Sequence, residues 1–293
     1  AGAMSVAGSA SIGVKNNSGS STHGKSWTMG NQLTFSGSGE TDGGINVSLS
    51  FVIDQGDDTA IGSGPFDSHS LTLSNDSMGT LVFSGEGGSS AQSTLDGTAA
   101  GDIWDNGLGI SSPSASEAGN NSMMYTLPSL MDDLTVQASY SPGGAGGASA
   151  TSFGVGYTGV DGLTLNYAVG DTETVGTVSE HTTMKASYAI SSFTVSYSDT
   201  STDVESTSTT KDEDITSWQI AYTVSDDLSV SYGTEVIDTE GQTVDEEAAG
   251  FNVSYTSGGV TLSATQYNFE GSGNTAGTAG EKERWALSAT FAF

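Results

Sequence analysis

No cysteine occurs among the 293 residues, which removes thiol catalysis, zinc-thiolate sites and disulfides and says little about compartment. Cations are scarce too. Six Lys+Arg stand against 35 Asp+Glu, a formal net charge of -29, and the single arginine is Arg284. Nucleic acid is excluded as a partner at that charge, because gripping phosphate requires cationic groups that displace counterions. Long apolar runs are also missing. No stretch reaches the about 18 apolar residues that a transmembrane helix needs. Only 34% of the residues are hydrophobic, low for a packed soluble core of this size, yet a membrane-crossing strand needs only every second residue apolar. The start, Ala1-Gly2-Ala3, shows no basic and apolar leader, so in an exported protein the signal peptide is expected to be already removed.

No catalytic set is visible either. His23, His69 and His181 lie far apart and are expected to be polar loop or loop-edge residues. Glycine clusters such as Gly143-Gly144-Ala145-Gly146-Gly147 precede no helix or lysine, so they do not read as phosphate loops. Serine without a paired base argues for the lining of a wet interior rather than for a nucleophile. The acidity leaves two readings open, adaptation to solvent and salt or a surface or passage that attracts cations.

What is present is alternation. The final segment Arg284 to Phe293 carries its bulky apolar residues on odd numbers and polar ones on even numbers, which makes a strand with one greasy and one wet face. Short runs ending in Tyr140, Tyr157, Tyr167, Tyr188, Tyr197, Tyr222, Tyr232 and Tyr255 behave alike, each tyrosine sharing the parity of the apolar residues. Membrane barrels place aliphatics toward lipid and aromatics at the interfaces, whereas a soluble sandwich has no reason for that regularity. Parity predicts strands at 4–14, 27–38, 45–54, 69–75, 80–85, 121–127, 134–140, 152–158, 163–170, 183–190, 193–199, 214–224, 228–238, 247–256, 260–269 and 284–293. Tyr267 and Phe269 break the parity of Val260, Leu262 and Ala264, which predicts either a bulge or a misread face. Short turns such as Thr41-Asp42-Gly43-Gly44 and Ser257-Gly258-Gly259 alternate strictly with long polar loops near 15–26, 55–68, 86–120, 141–151, 171–182, 200–213, 239–246 and 270–283.

The expected fold is therefore all-β, a 16-stranded antiparallel transmembrane β-barrel occupying 1–293 as one domain. It has short periplasmic turns and long extracellular loops. That layout, the terminal Phe293, the opening strand Met4 to Val14, the first turn segment Ser36 to Ile45 and the dominant third loop resemble the general bacterial porins, especially the acidic alphaproteobacterial ones. The resemblance spans the chain but rests on layout, not on one motif. It implies an outer-membrane homotrimer of water-filled channels in a Gram-negative bacterium, with the third loop (about 86–120) folded inward as the constriction. It also implies contact with outer-membrane lipids and lipopolysaccharide, reading of Phe293 by the barrel-assembly machinery, and passage of small hydrophilic solutes without a required cofactor.

The candidate passage residues follow. The third loop carries Glu86, Asp96, Asp102, Asp105 and Glu117 and no cation, so a loop folded into the lumen makes an acidic constriction. Porins of this kind face that loop with an arginine-rich wall, and this chain departs from them. Only Lys15, Lys185 and Arg284 share the inward parity, together with Glu235. A cation-preferring channel is the expectation. Asp102 and Asp105 are close enough in sequence for calcium, though without EF-hand spacing; a turn with exposed acids is the alternative. Residues 1–124 contain no tyrosine, and the outward positions Gly8 and Ala10 are small, which places the expected trimer contact on the first strands. A substrate-selective channel and a structural or adhesive outer-membrane or extracellular β-protein remain as alternatives. A β-solenoid is disfavoured by the unequal loops.

Overall fold

Sixteen antiparallel strands close into one barrel. The computed structural model describes residues 3–19, 24–54, 67–93, 95, 98–101, 103, 108, 116, 120–143, 147–206 and 211–293. The strands are β1 (Ala3–Ser18), β2 (Gly24–Glu40), β3 (Asn46–Asp54), β4 (Ser68–Asn75), β5 (Gly79–Glu86), β6 (Ser122–Thr126), β7 (Leu134–Ser141) and β8 (Ser149–Val160). They continue with β9 (Leu163–Thr174), β10 (Thr177–Ile190), β11 (Phe193–Ser206), β12 (Glu213–Ser225), β13 (Leu228–Thr239), β14 (Glu246–Ser257), β15 (Val260–Glu270) and β16 (Lys282–Ala292). Every strand pairs with its neighbours in sequence, and β16 pairs with β1 to close the ring. No helix among the described residues is long and apolar enough to cross a membrane, which has no bearing on strands.

Registers fix the size of the ring. Followed once around the barrel, they return to β1 displaced by about 20 residues. With strands about 4.8 Å apart and a rise of about 3.4 Å per residue, that stagger tilts the strands by about 40° and gives a backbone diameter of about 33 Å.

Alternation works as the sequence predicts. In β14, Phe251 and Tyr255 point outward and are exposed on the barrel exterior, while Asn252 and Ser254 between them face the lumen. The rings of Phe193 and Tyr222 stack in a tilted pair at 4.6 Å on that exterior, as neighbours in a lipid-facing belt do. Short turns sit at one end. Gly162 adopts φ 73, a conformation that suits glycine, and a Cβ there would collide with the Ala189 carbonyl. β1 begins and β16 ends at this end, where Phe293, just past β16, still exchanges backbone hydrogen bonds with Gly8 at 2.7 and 2.9 Å.

One open alternative is decided and two expectations change. The β15 registers against β14 and β16 run without a shift, so no bulge carries Tyr267 and Phe269; both face the lumen, and Phe269 is buried. The expected loop at 171–182 is a tight hairpin, because β9 and β10 pair from Leu163 and Tyr188 out to Thr174 and Thr177. Above the lipid both faces of these strands are polar, so hydropathy stops reporting strand where backbone pairing continues. His181, expected at a loop edge, is consequently a buried residue of β10 whose Nδ1 lies 3.0 Å from Thr202 Oγ1. His69 lies in β4, and His23 falls outside the described residues.

Candidate functional site

The barrel encloses no sandwich core. Its buried residues instead gather inside the ring, beneath the segment that leaves β5 after Glu86 and returns at Ser122. This third loop is bound to inward-pointing side chains. Ala91 N–H donates to Ser139 Oγ at 2.9 Å and Gln92 N–H to Ser152 Oγ at 3.2 Å. Farther along, Ala99 N–H donates to Ser198 Oγ at 2.8 Å and Ala100 N–H to Ser217 Oγ at 2.9 Å, while Gln219 Nε2 donates back to the Ala100 carbonyl at 3.2 Å. Thr98 is gripped on both sides: its hydroxyl donates to Glu235 Oε1, and its carbonyl accepts from Lys185 Nζ at 3.4 Å. These partners stand on β7, β8 and β10 to β13, so the loop lies flat against that part of the wall, inside the lumen.

Gln92 is the hub at the near end of the loop. Its Nε2 donates to Thr183 Oγ1 at 2.9 Å, and its Oε1 accepts the N–H of Ser116 at 2.8 Å. The wall makes room for such close contact. A Cβ on Gly233 would stand 2.8 Å from Ala100 Cβ, and one on Gly170 would stand 2.8 Å from Ser116 Cβ. At the far end the attachment is apolar. Ala100, Ile103 and Leu108 of the loop pack against Ile215, Ile237, Ala248 and Phe269 of the wall, with Tyr267 alongside. The Leu108 carbonyl accepts from Lys282 Nζ at 2.6 Å and from Ser272 Oγ at 2.9 Å. None of these anchors comes from β1 to β5.

Residues 1–256 match the Gram-negative porin family. The chain belongs to that family. It is therefore an outer-membrane porin. Among solved structures, this porin is similar to a loop-L8 deletion mutant of OmpT, an outer membrane protein of Vibrio cholerae, with a TM-score of 0.80, 14% identity and 100% of both chains covered. It is similar to the anion-selective porin from Comamonas acidovorans, with a TM-score of 0.72, 15% identity and 100% of both chains covered. It also resembles in-vitro folded OmpT of Vibrio cholerae in its trimer form, with a TM-score of 0.72, 12% identity and 100% of both chains covered. No curated protein matches the sequence.

The predicted passage residues separate into three groups. Asp96, Asp102, Asp105 and Glu117 lie outside the described residues, and with them the calcium expectation at Asp102 and Asp105. Among the described residues no group of three or more His, Cys, Asp or Glu could hold a metal ion. Glu86 ends β5 at the foot of the loop, and Lys15 and Arg284 face the lumen from the paired strands β1 and β16, where Arg284 stands opposite Asn17 and Tyr267. Glu235 and Lys185 depart from their predicted part. Glu235 is 1% exposed, so it does not line open water; it and Lys185 hold Thr98 from beneath. Lysine at 185 is thus on the loop's own side of the lumen and supplies no basic patch across from it.

Several of these side chains escape a reading of the sequence. Lys282 falls just before the predicted final strand and so reads as loop, although it is the first residue of β16 and anchors Leu108. The serines at 139, 152, 198 and 217 are indistinguishable in sequence from any other lumen serine. Ile215, Ile237 and Phe269 did leave a signal: each is a bulky apolar residue on the wet parity, which in a water-filled barrel requires something inside to cover it.

Proposed function

We propose that this porin is a water-filled, cation-preferring channel for passive diffusion of small hydrophilic solutes, working as a homotrimer and not as an enzyme. The observation that carries the ion preference is the shortage of wall cations, two of which sit against the third loop and not across the lumen from it. Lys185 and Lys282 are tied to loop carbonyl oxygens, while the chain as a whole bears a charge of -29. A channel wall with few outlying cations and many carboxylates concentrates cations. Sign of selectivity belongs to such side chains and not to the barrel, since the porin from Comamonas acidovorans with the same fold is anion-selective. Similarity to a trimer form of OmpT supports the homotrimer. So does the apolar exterior of the first strands, where Phe35 and Phe51 stack at 4.9 Å and Trp27 and Met29 are exposed farther along the same face of β2.

The test is the reversal potential of the purified protein in planar bilayers across a gradient from about 0.1 M to about 1 M KCl, where the screening length falls from about 10 to about 3 Å. A sign reporting cation flow is expected, and joint neutralisation of Asp96, Asp102, Asp105 and Glu117 should reduce it, most at low salt. A wild-type potential of zero or of anionic sign refutes the cation preference.

A further inference from the structure

The part of the wall that bears no loop anchors carries a feature of its own. Just below the foot of the third loop is a recess of about 250 Å³ whose lining includes Ser50, Ser68, Ser70, Ser84 and Glu86, with Val82 and Met124 as apolar floor. Three of its hydroxyls belong to one cross-strand row, because Ser50 pairs with Ser70 and Ser70 with Ser84. The row extends the other way as well. Ser36 pairs with Ser50, and Ser5 with Ser36, their hydroxyls 2.7 Å apart. Neighbouring strands stand about 4.8 Å apart, so the hydroxyls from Ser5 to Ser84 span about 19 Å. Given the strand tilt, the row climbs from the short-turn mouth, where Ser5 lies near the start of β1, to the recess near the end of β5.

We propose that this recess is a weak binding site for neutral polyhydroxylated solutes of saccharide type and that the serine row leads to it; the proposal rests on the channel reading above. A serine hydroxyl donates one hydrogen bond and accepts others, so a row of them can exchange partners with the hydroxyls of a sugar as it moves. The Glu86 carboxylate can accept from two adjacent sugar hydroxyls at once, and such charge-assisted bonds are the strong ones. Val82 and Met124 offer an apolar surface to the C–H face of a sugar ring, the combination of apolar lining with a few placed polar groups that small-molecule sites use. Anionic sugars are disfavoured by the same carboxylate. Affinity has to stay weak, because a solute that binds too well blocks the passage.

Ionic current through purified channels in planar bilayers tests this, with sucrose as the probe and a poly(ethylene glycol) of similar size, which has almost no donors, as the viscosity control. Wild-type current should fall along a saturating curve with sucrose and in simple proportion to viscosity with the polymer. Joint replacement Ser50→Ala, Ser70→Ala, Ser84→Ala and Glu86→Gln removes several hydrogen bonds and should raise the half-saturating concentration about tenfold or more. The three Ser→Ala replacements made without the change at Glu86 should keep the sugar-free conductance within about twofold. The Ser→Thr variants at the three serines keep the hydroxyls and should keep the curve. Coincident sucrose and polymer curves in the wild type, or an unshifted curve in the fourfold variant, overturn the proposal. Absence of any current without sugar overturns the channel reading instead.

Discussion

Phe269→Ala isolates what holds the third loop in place. The Phe269 ring is 1% exposed and packs inside the lumen among Ile103 and Leu108 of the loop and Ile215 and Ile237 of the wall. Truncating a buried phenylalanine costs about 3–5 kcal/mol. Here the loss falls on loop docking, because the ring contributes nothing to the strand ladder, whose β14–β15 and β15–β16 registers are backbone pairings. At about 1.4 kcal/mol per factor of ten, docking weakens by about 10² or more. The remaining anchors, several neutral hydrogen bonds at about 1 kcal/mol each and the rest of the apolar cluster, keep the loop docked most of the time. The expected outcome is a barrel with normal heat-modifiable gel mobility whose single-channel current shows much more frequent excursions to a higher level. Wild-type current noise in a folded Phe269→Ala channel would refute the reasoning, as would collapse of the barrel itself, since the ring would then be supporting the wall and not the loop.

Glu235→Gln retains an acceptor for the Thr98 hydroxyl and should leave current noise near wild type, whereas Glu235→Leu or Thr98→Val removes a charge-assisted bond worth about 1.5–3 kcal/mol and should raise it. Equal noise in the Gln and Leu variants would show that Glu235 is no anchor. Val6→Arg or Ile12→Arg, on the exposed exterior of β1, should dissociate the proposed trimer on native gels, while Tyr197→Ser on the far side should not; intact trimers in both Arg variants would place the contact elsewhere. Deleting Phe293 should lower the yield of assembled barrel in cell membranes far more than it lowers the in vitro unfolding stability, which loses two backbone hydrogen bonds at about 1 kcal/mol each and the seat of a largely exposed ring over Gly8. Normal assembly of the truncated chain in cells would count against a role for the terminal aromatic.

The barrel was legible because each strand touches only its neighbours and turns one face to lipid and one to water, so parity carries the topology residue by residue. Legibility ended where that contrast ended. Residues such as Thr172, Glu173, Ser179 and Glu180 are polar on both faces, yet they pair in register between β9 and β10. Inside the lumen, parity identifies Glu235 and Lys185 as inward but cannot tell a residue facing water from one facing a folded loop, and both turned out to face Thr98. The loop's covering could have been inferred from the apolar residues at 215, 237 and 269 on the wet face. Its acids at 96, 102, 105 and 117 are legible only as charge.

The closing seam links the last residue of the chain to the width of the passage. Along the outward face of β1, Gly8 lies between Val6 and Ala10 and is the one position from Met4 to Val14 without a side chain. Phe293 is seated there: a Cβ on Gly8 would stand 2.5 Å from its ring and 3.0 Å from Leu33 Cδ2. Sliding β16 by one residue would turn its greasy face inward. Sliding it by two would keep the faces but drive the ring onto Val6 or Ala10, so the notch at Gly8 favours a single register. That register closes the ring and sets its total stagger. A two-residue slip changes a stagger of about 20 by a tenth and the diameter by about 5%. The loop anchors, which reach from β7 to β16 with bonds of 2.6 to 3.4 Å, fit only one curvature of the wall. Closure at Gly8 therefore bears on the docking of the third loop as well as on the width of the barrel.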